Sequence, residues 1–140
     1  MSGISSGIFT ADQLIEADKQ ICKQSDEPFD VNMELLNPII DDANSFNQIP
    51  DKKARTIKKV AHLIGEIVFR QPFTNGNKRT ALAVGILFLR NNGFNLPYGD
   101  KENKKRLFEL LEKTMFKFST DPSIVSEIED YLIENVKENE

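Results

Sequence analysis

The sequence predicts an all-α fold, and three observations carry that reading. Apolar residues recur at helical spacing in four stretches, helix caps and stops mark their ends, and a fifth stretch, ALAVGILFL, is apolar on every side. A helix apolar all round is one surrounded by others. With 140 residues, 39% of them hydrophobic, the chain fits a single domain over 1–140 with a core of about 8–137.

The first element is announced by its cap. Thr10 and Gln13 have the spacing of a capping box, with Phe9 and Leu14 placed as a hydrophobic staple. A helix is expected from Ala11 to Ile21, burying Leu14, Ala17 and Ile21. QSDEPFDVN then reads as a loop around Pro28. MELLNPIIDDANSFNQIPD reads as a short apolar helical turn broken at Pro38, followed by a loop or short hairpin.

From Lys52 to Arg70, the residues Ile57, Val60, Ala61, Ile64, Ile67 and Val68 share one helical face. His62 lies about 160° from the centre of that face at about 100° per residue, so it is expected to be exposed beside Lys59 and Glu66. Pro72 disfavours helix at Gln71, which predicts a stop and a tight loop from Pro72 to Gly76. The all-round apolar helix follows, Lys78 to Asn92, and is expected at the centre of the fold with Gly93 ending it. Two amphipathic helices complete the chain. The first runs from Lys104 to Phe118, with Phe108, Leu111, Met115 and Phe118 in line; the second runs from Pro122 to Lys137, with Ile124, Ile128, Leu132 and Val136 in line and Asp121 as its cap.

Composition removes several function classes. The formal net charge of -4 argues against duplex nucleic acid, which needs a basic surface. The two local basic clusters, 52–59 and 101–106, read as solvated helix faces. No apolar run approaches the roughly 18 residues of a membrane span, and MSGISSGIFT lacks the pattern of a signal peptide. One cysteine, Cys22, makes no internal disulfide, so a reducing, cytoplasmic setting is expected with Cys22 as a small packing residue.

The stretch FRQPFTNGNKRTALAV places Lys78 and Arg79 in the first turn of a helix, where each cation costs roughly 0.3 to 1 kcal/mol against the positive end of the dipole. Something negative should therefore sit there. Asn75, Gly76 and Asn77 form a small loop whose N–H groups can converge with those of the helix start, which makes a phosphate cradle. A carboxylate from another helix would satisfy the same cations, with Asn75 or Asn77 serving only as a cap. Both readings stand at this point.

PFTNGNKRTA resembles the signature of the Fic and death-on-curing (Doc) family, His-x-Phe-x-Asp/Glu-Gly-Asn-Lys/Gly-Arg, with Phe73, Gly76, Asn77, Lys78 and Arg79 matching as they stand. The order of TADQLIEADKQI, ELLNPIIDDANSF and the helix before the motif is similar to Doc-like members, so the likeness covers Ile8 to about Leu96. The resemblance implies a Fic-type helical domain whose motif loop, Asn75 to Arg79, binds ATP phosphates with Mg²⁺. It also implies a flap around Asn37 to Phe46 that aligns a protein segment by strand-like pairing. Fic members typically transfer AMP to a protein hydroxyl and Doc transfers phosphate; Leu82 stands where Fic transferases carry a second arginine, which places the chain nearer the Doc branch. Ser123 and Glu127 have the spacing of an inhibitory Ser/Thr-x-x-x-Glu pattern, one common on polar helix faces.

Two positions depart from the signature. Gln71 stands in place of the histidine that takes the proton from the attacking hydroxyl, and Asn75 replaces the acidic metal ligand, leaving a weak oxygen donor for Mg²⁺. The expected function is thus a Fic/Doc-like protein that binds ATP or another nucleotide phosphate, with impaired transfer. The expected partner is a protein substrate or an antitoxin-like protein, with homo-oligomers left open and neither nucleic acid nor membrane expected. The alternative is a non-enzymatic helical interaction protein or a regulator of toxin–antitoxin type.

Overall fold

A computed structural model describes residues 8–96, 101–115 and 122–138, and its architecture is all-α. Helix α1 (Ala11–Gln24) begins at the expected capping box: Thr10 Oγ1 accepts from Gln13 N at 3.3 Å and Gln13 Oε1 accepts from Thr10 N at 3.0 Å. It runs nearly a turn beyond Ile21, and its fully buried line is Leu14, Asp18 and Cys22 rather than Leu14, Ala17 and Ile21. Just before it, Phe9 is buried and stacks on Phe88 with ring centroids 4.2 Å apart. Asn44 clasps the Phe9 main chain, accepting from its N–H and donating to its carbonyl, each at 2.9 Å.

The second segment corrects the expected loop or hairpin. Residues 33–44 form one continuous helix, α2 (Met33–Asn44), capped by Asn32 and followed by a 3₁₀ turn over Ser45–Gln48. No flap of strand-like geometry occupies 37–46. Pro38 lies within the helix because the bond it removes would have gone to the carbonyl of Glu34, and both residues are exposed, so water can serve that oxygen. The helix is then held by its buried stripe of Leu36, Ile39, Ile40 and Ala43. Burial outweighs the proline.

Helix α3 (Lys52–Arg70), capped by Asp51 through Ala54 N at 2.8 Å, packs against α2, α4 (Asn77–Asn91), α5 (Lys101–Met115) and α6 (Pro122–Asn135). It is therefore α3, rather than the apolar α4, that lies at the centre. α4 buries Leu82, Val84, Phe88 and Leu89 but leaves Ala83 and Leu87 exposed. Gly85 faces α3 so closely that a Cβ would stand 3.1 Å from side-chain carbons of Val60 and Ile64, which fixes the helix separation. Gly93, with φ of 90°, follows α4 as expected.

His62 is half-buried, not exposed. Phe46 from the 3₁₀ turn covers it edge-on, with centroids 5.4 Å apart, and its Nε2 has no partner among the described residues. Burial lowers its pKa below the usual value, against the pull of Glu66 and Asp42. The expectation failed because a face turned away from one helix stripe was covered by a segment read as loop.

Leu107 and Leu111 of α5 and Ile128, Tyr131 and Leu132 of α6 join the same core, as does Val136. The expected cap Asp121 and the expected core residue Phe118 lie outside the described residues. A two-residue antiparallel ladder, β1 (Phe94–Asn95) with β2 (Lys137–Glu138), ties the segment after α4 to the segment after α6. Among the described residues no helix is long and apolar enough to cross a membrane.

Candidate functional site

The loop between α3 and α4 is built from its ends inward. Gln71 stops α3 in the left-handed conformation, with φ of 51° and ψ of 62°, while its N–H still donates to Ile67 O at 2.9 Å. Pro72 forbids a further helical turn, and the reversal at Gln71 is the result. Its side chain is exposed. It does not continue the buried stripe of Ile57, Ile64 and Val68, because a left-handed residue leaves the helical register.

The far side of the loop is held by the chain itself. Asn32 N donates to Pro72 O at 2.7 Å, Thr74 N donates to Asp30 O at 3.1 Å, and Val31 faces Phe73 in an isolated antiparallel bridge. Strand-like pairing exists at the motif, but with residues 30–32 and within the molecule. Asn77 clamps the same loop from inside: its Oδ1 accepts from Phe73 N at 3.0 Å and its Nδ2 donates to Phe73 O at 2.7 Å. The Asn77 side chain is thereby committed to loop shape, leaving its main-chain N–H for other work.

Gly76 precedes α4 with φ of 79°, and a Cβ there would stand 2.7 Å from Asp18 Oδ1. Both the conformation and the space demand glycine. Thr80 N bonds to Gly76 O at 2.8 Å as the first intrahelical bond, and the N–H groups of Asn77, Lys78 and Arg79 have no acceptor among the described residues. Each cation meets a carboxylate: Lys78 Nζ lies 2.8 Å from Glu112 of α5, while Arg79 donates to Glu27 at 2.6 Å and to Ser25 Oγ at 2.5 Å. Asn75 donates from Nδ2 to Pro28 O at 2.9 Å. The structure thus brings Asn75 to Arg79 together at the start of α4, with Gln71 at the opposite end of the loop.

A model of the Fic/DOC family matches residues 8–89 of the chain. The chain belongs to that family. Neither a curated protein nor a solved structure matches it. The matched span covers α1 to most of α4, so the whole motif loop of this Fic/DOC protein and the elements that clamp it fall inside the family region.

Sequence reading missed the most buried acid of the site. Asp18 has no exposed surface, accepts from Thr80 Oγ1 at 2.7 Å and from Cys22 Sγ at 3.5 Å, and sits under Gly76. Its signal was present, an acid in line between Leu14 and Cys22 on an otherwise apolar face. Glu27 and Glu112 carried no such signal, being ordinary polar residues distant in sequence. Burial pushes the Asp18 carboxyl above its usual value of 3.8, opposed by the Thr80 and Cys22 hydrogen bonds and the charge of Arg79. Burial and the neighbouring Asp18 push the Cys22 thiol up as well, which favours the neutral thiol and fits a buried packing residue.

The folded state of this Fic/DOC protein therefore holds the Asp18 proton more tightly than the unfolded chain does. Keeping Asp18 ionised costs stability above the raised pKa, and acidification towards 3.8 relieves that cost. Asp18→Asn keeps an acceptor for Thr80 and is expected to gain on the wild type as pH rises from 3.8 to neutrality. Asp18→Ala leaves the Thr80 hydroxyl buried and unpaired and is expected to cost about 1–3 kcal/mol at neutral pH. Urea unfolding of the three proteins across that range checks both; a pH-independent difference between Asp18→Asn and wild type would refute the first.

The open N–H groups and paired cations suit a phosphate; the donors do not suit Mg²⁺. Position 75 offers an amide tethered to Pro28, Asp18 is sealed beneath the loop, and among the described residues no three His, Cys, Asp or Glu side chains gather as a metal nest.

Proposed function

We propose that this Fic/DOC protein binds the phosphates of ATP or another nucleotide at the start of α4, and that its transfer of AMP or phosphate to a protein hydroxyl is impaired. One observation supports the binding half above the others: three main-chain N–H groups at the helix start have no acceptor among the described residues, and the carboxylate partners of the two cations there are solvent-accessible. Exposed ion pairs contribute about 0–1 kcal/mol, whereas each charge-assisted bond to phosphate contributes about 1.5–3 kcal/mol. A phosphate therefore displaces Glu27 and Glu112 from Arg79 and Lys78. The impairment follows from Gln71, since a neutral amide takes no proton from an attacking hydroxyl near neutral pH. Asn75 makes Mg²⁺ a weak companion at best.

Calorimetric titration with ATP, with and without Mg²⁺, tests the binding. Arg79→Ala is expected to lower affinity by about 1.5–3 kcal/mol, and Glu27→Gln to raise it by removing the internal competitor. A second reading draws on the same ion pairs: if Glu27 and Glu112 are permanent partners, the motif holds a loop in a non-enzymatic interaction protein whose partner is a protein of antitoxin type. Absence of ATP binding in both wild type and Glu27→Gln selects that reading.

A further inference from the structure

A second cation cluster lies at the opposite pole of the molecule, where α3 begins and α4 ends. Lys52, Arg55 and Lys59 line a cavity of about 440 Å³ together with Thr56, Asn47 and Asn92. Among the described residues no carboxylate lies within ion-pairing distance of any of the three cations. Lys59 is 1% exposed, and its Nζ donates to Asn47 Oδ1 at 2.5 Å. Its ammonium also lies over Phe9 and Phe88, 5.6 and 5.1 Å from the ring centroids. Arg55 spends only Nη1 on main-chain carbonyls, those of Ile49 at 2.8 Å and Pro50 at 3.4 Å. Its other donors remain for a ligand.

A buried ammonium is rare without an anionic partner, because removing the ion from water is costly. Here burial and the nearby Arg55 depress the Lys59 pKa to about 8, so the site lacks a counter-charge rather than a cation. We propose that this cavity is an anion site that takes a phosphomonoester. Three cations lining one cavity match a ligand of charge near -2, which a phosphomonoester carries at neutral pH and a single carboxylate does not. The rest of the wall is apolar, with Phe88 buried behind it and the exposed Ile8 giving the organic part of the ligand a surface to lie on. Along α3, Lys59 and Arg70 lie about 16 Å apart at about 1.5 Å per residue, so this site is separate from the motif loop.

The test is titration with ribose 5-phosphate, inorganic phosphate and ribose, followed by backbone amide chemical shifts. Ribose 5-phosphate is expected to shift Thr56, Lys59 and Asn92 saturably, inorganic phosphate to shift them more weakly, and ribose to leave them in place. Lys59→Met keeps the packing over the two rings and removes the charge; it and Arg55→Gln should each weaken binding at least about tenfold, the equivalent of one charge-assisted hydrogen bond. Should Lys59→Met fail to fold, Arg55→Gln and Lys52→Gln on the surface decide the matter. Arg79→Ala is expected to leave these shifts unchanged, which separates this site from nucleotide binding at the motif. The proposal is overturned by shifts confined to 76–79, by an equal response to ribose, or by no saturable shift up to roughly 10 mM, where even a millimolar site is mostly filled.

Discussion

Phe73→Ala is expected to lower the unfolding free energy by about 3–5 kcal/mol. The ring is 2% exposed although it belongs to a loop, and it lies 6.3 Å from the Phe29 ring at a tilt of 40°. Truncation removes the transfer energy of the whole ring and leaves a void, because Asn77 holds the Phe73 main chain at both N–H and carbonyl and the neighbouring bridge to Val31 resists collapse. Phe73→Leu, which keeps most of the volume, should cost much less. Far-UV circular dichroism in urea gives the comparison. A Phe73→Ala midpoint equal to that of wild type would show that the loop is fixed without the ring.

Gln71→His is expected to raise label transfer from ATP to protein by about 10²- to 10⁴-fold, the usual contribution of a general base. An acceptor hydroxyl must lose its proton during attack, and imidazole titrates near neutral pH while an amide does not. The structure adds two supports of its own. Position 71 is exposed, as a group that must reach a substrate has to be, and its left-handed backbone suits histidine better than most residues. Asn75→Asp on top of it should help further if Mg²⁺ takes part. The measurement is transfer from ATP labelled at the α or γ phosphate, by wild type, both single variants and the double variant. Strong transfer by the unaltered chain, or none by the double variant on its true target, would overturn the assignment of Gln71.

Most helix boundaries were legible because they are written locally. The Thr10 and Gln13 box, the Pro72 stop and the Gly93 exit each depend on a few adjacent residues. The reading of α2 failed because Pro38 is a strong local breaker, whereas the burial of Ile39, Ile40 and Ala43 that overrides it is a tertiary effect. The centrality of α3 was hidden for a related reason. Lys59, His62 and Glu66 look like a solvent face until α2, the 3₁₀ turn and Phe9 close over them. At the site, the motif residues were found by pattern, but their partners were not. Glu27, Glu112 and Asp18 come from distant parts of the chain, and nothing in their local sequence announces Arg79, Lys78 or Thr80.

The pairing of residues 30–32 with the motif loop has a kinetic consequence. It joins positions some forty residues apart through two hydrogen bonds whose donor residues, Asn32 and Thr74, are exposed, so it must wait for α2 and α3 to be in place. This pairing is then among the last features acquired during folding and among the first released by local opening. Amide exchange at Asn32 and Thr74 should accordingly outpace that at Val60 and Ile64 in the core, with bound phosphate slowing the former pair alone.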